Sequence, residues 1–104
     1  MIRYEVMVMP SASLDIAGII RYISNDLSNR KAAEDLYDLC LETLKSLEYM
    51  PSRNPISSIE ELEVRNIRVA PLGNYSILYS TFDDDHIVEV YRVVYSKSDF
   101  SKKF

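Results

Sequence analysis

The chain reads as an α+β domain: an N-terminal strand, an αα-hairpin, then a three-stranded antiparallel meander, with the helices packed on one face of the sheet. Three observations predict this. The last third holds two strand-like runs, residues 74–79 and 87–95, hinged on Asp83-Asp84-Asp85-His86 and closed by Ser96-Lys97-Ser98-Asp99. The stretch between residues 11 and 50 repeats apolar residues at helical spacing with one short interruption. The first nine residues alternate as a strand does.

Taken in order, residues 2–9 place Tyr4, Val6 and Val8 on one face, with larger apolar residues also on the other, so this strand is expected to be well covered. Pro10-Ser11 stops it. Ser11 is a candidate cap for the next helix, with Asp15 near that helix's positive N-terminal end. Ile16, Ile20, Ile23 and Leu27 mark its apolar face. Asn29 is the expected cap of a second helix, in which Ala33, Leu36, Cys40, Leu44 and Leu47 share a face through Met50 until Pro51 ends it. Two helices joined by so short a turn must lay a common apolar face on something. The rest of the sheet supplies it. Residues 64–70 alternate as a strand, Pro71-Leu72-Gly73-Asn74 is turn chemistry, and Tyr75 to Phe82 and Ile87 to Tyr95 complete the meander.

At 104 residues, 47% hydrophobic and 27% charged, the chain is long enough to form one domain, residues 1–104, that buries well over half of its unfolded surface. Four prolines and two glycines leave no room for a flexible linker, and order is expected everywhere but the extreme C-terminus. The single cysteine, Cys40, excludes an intramolecular disulfide and reads as a small buried hydrophobe. No secretory start and no apolar run near 18 residues is present, so a cytoplasmic protein without a membrane span is expected.

Net charge of −4 argues against a general nucleic-acid binder, whose affinity comes from neutralising phosphates. The charge is uneven. Residues 1–63 carry 6 Lys/Arg against 11 Asp/Glu, whereas residues 64–104 carry 6 against 5. The acid belongs to the helical half, as a solvated face, and a locally basic sheet end is expected from Arg65, Arg68, Arg92, Lys97, Lys102 and Lys103.

The order strand, helix, helix, meander, taken with Leu14-Asp15-Ile16, Tyr22-Ile23, Ala32-Ala33, Leu47 to Pro51, Ile67-Arg68-Val69, Asn74-Tyr75-Ser76-Ile77-Leu78-Tyr79 and Val90-Tyr91-Arg92-Val93-Val94-Tyr95 with Asp99, resembles the RelE/ParE superfamily of toxins, plasmid stabilisation proteins among them. The resemblance covers nearly the whole chain. It implies the toxin of a type II toxin–antitoxin pair, free of cofactor and metal, bound by a small antitoxin whose C-terminal segment wraps the sheet and helices. Homodimer or higher toxin–antitoxin assembly is left open.

Two activities follow from the resemblance. RelE-like members resemble ribosome-associated ribonucleases that cut messenger RNA through its own 2′-hydroxyl, which needs a proton acceptor, cations for the phosphorus oxygens and a proton for the leaving oxygen. By position the resemblance assigns these catalytic roles to Arg68, Tyr95 and Lys97, and target or antitoxin contacts to Arg65, Arg92 and Asp99. Arginine suits phosphate because it stays charged and grips with two donors. Ser76 stands where such sequences commonly carry arginine, and Tyr95 stands where many carry a histidine, replacing a group titrating near neutrality by a phenol of pKa about 10. Messenger-RNA cleavage is therefore expected to be weak. ParE-like members instead poison DNA gyrase and lack the nuclease residues. A protein-interaction module that keeps the fold without toxicity is the alternative. The antitoxin is expected to cover the basic end at Arg65, Arg68, Arg92 and Lys97, with residues 101–104 ordering only in that complex.

The same residues have plainer uses. Arg92 in an apolar strand can pair with Asp99 or a helix carboxylate. Tyr75, Tyr79, Tyr91 and Tyr95 at alternating positions pack a sheet and hydrogen-bond at its rim. His86 beside three aspartates is a solvated turn rather than a metal site, and Glu60, Glu61 and Glu63 form a solvated loop or strand entry.

Overall fold

The computed structural model describes residues 1–103; the expectation for Phe104 lies outside them. Its centre is a four-stranded sheet of β1 (Glu5–Val8), β2 (Arg68–Leu72), β3 (Tyr75–Phe82) and β4 (Ile87–Tyr95), in the order β1-β4-β3-β2. β2, β3 and β4 form the antiparallel meander. β1 runs parallel to β4, with Glu5 opposite Ile87 and Val8 opposite Val90, as a strand returning through a helical crossover can. Gly73, at φ +59°, takes the first place of the two-residue β2–β3 turn, which requires a left-handed residue there. The β3–β4 turn is held against the first strand: the Tyr4 hydroxyl donates to Asp83 at 2.9 Å, and the His86 carbonyl accepts from the Glu5 N–H at 2.8 Å.

α1 (Pro10–Arg21) opens on Pro10 itself. Ser11 is not the cap. Proline's fixed φ suits the first helical position, where no N–H is needed, so Met9 becomes the boundary residue without a side-chain cap. A wider turn, Tyr22–Asp26, extends the helix, and this change of winding leaves Leu27 exposed rather than on the apolar stripe, while Ile16 and Ile19 reach the core. α2 (Arg30–Ser46) begins as read, with the Asn29 side chain accepting from the Ala32 N–H at 3.1 Å. It stops at Ser46 rather than Met50. Arg53, in the short 3-10 turn Pro51–Arg53, folds back so that its Nη1 donates to the carbonyls of Ser46 and Tyr49, both at 3.1 Å, placing a cation on the helix's negative end.

The segment before β2 differs from the strand expected at 64–70. Glu60–Glu63 form a single helical turn, α3, that buries Leu62 completely; Asn66 at φ +56° then reverses the chain and Ile67 is buried in turn. Val64, which belongs to an alternating pattern on paper, is 73% exposed. β2 therefore starts at Arg68 and continues through Pro71 and Leu72, with Gly73-Asn74 alone as the turn.

A bulge decides which side chain faces where. Leu78 pairs with Arg92 and Tyr79 with Val90, so Tyr91 is an extra residue with none opposite. Val88, Val90 and Val93 consequently face the long helices with Ile77 and Tyr79, and Cys40 and Leu47 of the helical pair close that core. Tyr91 and Val94 fall on the other face, where Leu62, Ile67, Leu78 and Phe100 gather. The long helices cover one face as expected. The opposite face is covered too, by α3 and by a 3-10 turn at Phe100–Lys103, whose Phe100 packs into this second cluster.

Candidate functional site

Arg68 opens β2 and points its Nη1 at the carbonyls of Ser52 (3.2 Å) and Asn54 (2.7 Å). Beside it, the buried Tyr79 hydroxyl donates to the Pro51 carbonyl at 2.5 Å and accepts from the Asn54 amide at 3.0 Å. Together these bonds staple the loop after α2 to the sheet. Burial pushes the Tyr79 phenol up.

Tyr95 ends β4, half exposed, with its ring edge-on to Tyr75 at 6.0 Å. Lys97 lies exposed in the following turn. Of the three residues assigned by resemblance to catalysis, Tyr95 and Lys97 are therefore brought to one end. Arg68 pairs with Tyr79, four ladder positions from the Tyr75–Tyr95 pair, so it stands about 13 Å away along the strands.

Arg92 pairs with a helix carboxylate and not with Asp99. Its Nε and Nη2 donate to the two oxygens of Asp15 at 2.7 and 3.0 Å, while Nη1 donates to the Lys103 carbonyl at 2.9 Å. This bond to Asp15 is the main cause that raises the Arg92 pKa. Asp15 also accepts the Val93 N–H at 3.0 Å, which explains its place on α1 better than a helix-end effect does. β1 stops opposite Val90, and the carboxylate replaces the missing strand one residue pair further on. Asp99 instead accepts from the N–H and hydroxyl of Ser101, at 3.1 and 2.6 Å, and these bonds hold its carboxyl below the usual carboxylate range.

Arg65 lies in the turn after α3, its charge felt by the Tyr91 phenol and its carbonyl accepting from Ser80 at 3.3 Å. The basic residues thus form no single patch. By register Arg68 and Arg92 stand one ladder position apart, on β2 and β4, but the Arg68 side chain turns onto the loop of residues 51–54 and the Arg92 side chain onto α1; Arg65 sits beside Ser80, and Lys97 lies in the turn after β4. Ser76 is buried with its hydroxyl 2.8 Å from that of Ser96, where an arginine would crowd Val94.

Sequence reasoning used Tyr22 for the resemblance without assigning it to a site, and it passed over Gly18. Both line a groove of about 380 Å³ between α1 and the end of β4, with Tyr75, Tyr95 and Lys103. A glycine inside an otherwise regular helical pattern was the available signal.

Residues 6–100 match the family model described as the ParE toxin of type II toxin-antitoxin system, parDE. Among solved structures, the chain is similar to the chromosomal ParDE toxin–antitoxin system from P. aeruginosa, with 13% identity, 91% of this chain and 98% of that chain covered, and a TM-score of 0.72. It is also similar to the archaeal RelE–RelB complex from Pyrococcus horikoshii, at 18% identity, 93% and 99% coverage and a TM-score of 0.58. A further likeness is to the toxin–antitoxin complex RelBE2 from Mycobacterium tuberculosis, at 19% identity, 94% and 97% coverage and a TM-score of 0.52. These likenesses are of fold. No curated protein sequence matches the chain.

Proposed function

The chain belongs to the ParE toxin family of type II toxin–antitoxin systems, and from that premise we propose that it is a cytoplasmic growth inhibitor, held in check by a small antitoxin and directed at DNA gyrase. One observation carries the choice of target: the cation that phosphoryl chemistry would need, Arg68, is turned onto the carbonyls of Ser52 and Asn54, far from Tyr95 and Lys97. Such a site has a phenol and an amine but no bidentate grip on the phosphorus oxygens, whose loss removes several kcal/mol of transition-state stabilisation, on the order of 3 kcal/mol per donor. Ser76 in place of arginine points the same way.

A second reading, weak ribosome-associated messenger-RNA cleavage, draws on the exposure of Tyr95 next to Lys97 at one end of the sheet. A third is an interaction module without toxicity, for which the spent arginines also argue. Among the described residues no helix is long and apolar enough to cross a membrane.

Induction of the chain alone, with parallel mapping of transcript 5′-ends and of plasmid topology, separates the three. The gyrase reading expects altered supercoiling and DNA damage, no codon-phased transcript cleavage, and no gain from Ser76→Arg. Phased cleavage that Ser76→Arg strengthens would move the assignment to translation. Unaffected growth would leave only the interaction module.

A further inference from the structure

The two edges of the sheet differ in how they are protected. β2, at one edge, carries Pro71, and Ile56 bridges to it at Arg68, so its outer side offers little to another strand. β1 forms the other edge, and only its approach is covered: Arg3 bridges to Tyr49, and the Tyr4 N–H donates to the Glu48 carbonyl at 2.7 Å. Towards β4 the strand uses alternate residues, the Glu5 N–H donating to the His86 carbonyl at 2.8 Å and the Met9 N–H to the Val90 carbonyl at 2.9 Å. Val6 and Val8 therefore turn their N–H and C=O groups outward, to the side of Tyr4, and among the described residues no strand lies beside them. Neither proline nor lysine nor a bulge blunts this stretch.

What can pair there is narrowly defined. An antiparallel partner must set its own outward-facing residues opposite Val6 and Val8. For a second copy of this chain the registers are few. Val6 opposite Val6 would bring Val8 opposite Tyr4, whose N–H is already held by Glu48. Val8 opposite Val8 would bring Val6 opposite Pro10, which has no N–H and has left the sheet for α1. Val6 opposite Val8 remains. In that register each pair exchanges both N–H···O bonds, Met7 meets Met7 on the two-fold axis, and Glu5 meets Met9, so no like charges face each other. Apolar surface continues beside the edge. Met7 is exposed on one face of the sheet, and on the other Val8 lines a groove of about 680 Å³ between α1 and α2, together with the half-exposed Tyr37 and Leu41.

We propose that the chain forms a two-fold dimer through β1, Val6 of each copy pairing with Val8 of the other, so that the two four-stranded sheets become one continuous sheet. The contact is the same patch on both copies and uses the open edge of each, so it closes at two chains and does not propagate. It is independent of the choice of toxic target. Each copy carries a net charge of −4, so self-repulsion opposes association and added salt strengthens the dimer.

Sedimentation equilibrium of the full chain alone should show a monomer–dimer equilibrium at micromolar concentrations that tightens with salt, and amide exchange at Val6 and Val8 should slow as concentration rises. Cysteine cross-linking under mild oxidation reads the register, with the buried Cys40 silent in the native chain. Met7→Cys should give a disulfide-linked dimer, because a non-hydrogen-bonded antiparallel pair brings its Cα atoms to about 4.5 Å, within disulfide reach. Glu5→Cys and Met9→Cys should each stay unlinked alone and link when mixed. Val6→Pro removes an N–H that β4 does not use, and Met7→Lys sets two ammonium groups face to face at an exposed position. Dimerisation should weaken about tenfold in the first and about threefold in the second, with the monomer's Tm within a few degrees of native; Met7→Lys decides the matter if Val6→Pro fails to fold. A chain that stays monomeric up to millimolar concentration overturns the proposal. So does a dimer that Met7→Cys does not cross-link, or one that Met7→Lys leaves at native strength, since association would then use another surface. Protection of the Val6 and Val8 amides that appears only when a different protein is added gives the edge to that partner and refutes the second copy.

Discussion

Tyr79 is fully buried, and its hydroxyl joins the Pro51 carbonyl to the Asn54 amide. Tyr79→Phe keeps the ring and orphans both partners, so it should cost about 1–3 kcal/mol of unfolding free energy in urea melts. The phenol also sets a pH limit. Its folded pKa is raised, chiefly by burial, so the neutral form is the one the fold favours. That stabilisation is complete below the unfolded pKa of about 10 and is lost as pH rises through the higher folded value. Alkaline melts should show a loss of stability that Tyr79→Phe makes shallower; parallel curves for the two proteins would count against it. Met50 presents a different residue-scale strain. It is 65% exposed and sits at φ +49° before Pro51, a conformation that a side chain disfavours by about 1–2 kcal/mol. Met50→Gly should therefore raise Tm by a few degrees, since only the backbone of Met50 is used, by Arg53.

The element most dependent on a single contact is α1, tied to β4 where β1 gives out. Asp15 and Arg92 are 17% and 28% exposed at their side chains, and the pair is supported by the Val93 N–H and the Lys103 carbonyl. Removing one partner leaves a half-buried charge. Arg92→Met should cost about 2 kcal/mol, below the range for fully buried pairs because solvent still reaches this one, and the double variant Asp15→Asn with Arg92→Met should cost less than the sum. Additive losses in that cycle would mean that the two residues act separately. Legibility of the elements follows the same physics. β3 and β4 have the bounds expected because long apolar runs lie between strong turn signals, and Asn29 capped its helix because an amide there has an evident local use. α3 was misread because four residues are too few for helical periodicity, and Val64 continues a false alternation that burial of Leu62 overrides. The bulge at Tyr91 has no sequence signature, so the face of Tyr91 relative to Tyr95 was not readable. For the same reason the residues matched to a nuclease could be placed on strands but not brought to one end or separated. Arg92 was legible as a charge needing a carboxylate, although which carboxylate required the fold.

At the scale of the whole molecule, charge is divided by architecture. The acidic 1–63 segment includes both long helices, and the residues from 64 onward, which form three of the four strands, are slightly basic. The division sets up a field across an acidic chain whose positive end is the turn and tail after β4. Reversing charges to map the antitoxin surface must respect which cations the fold uses. Arg68 holds the loop of residues 51–54, so a reversal there would unfold local structure and lower affinity for the wrong reason. Lys97 is exposed, and the bond between Lys103 and Arg92 uses the lysine's carbonyl, not its ammonium. The double variant Lys97→Glu, Lys103→Glu should therefore keep the Tm of the native chain and slow association with an acidic antitoxin about tenfold at low ionic strength, since charge near the docking site acts mainly on encounter. Raising salt to about 0.5 M shortens the Debye length to a few ångströms and should bring the two association rates together, with dissociation changing little. Equal rates at low salt, measured by stopped flow, would place the antitoxin's contacts away from the tail and assign the field to another partner.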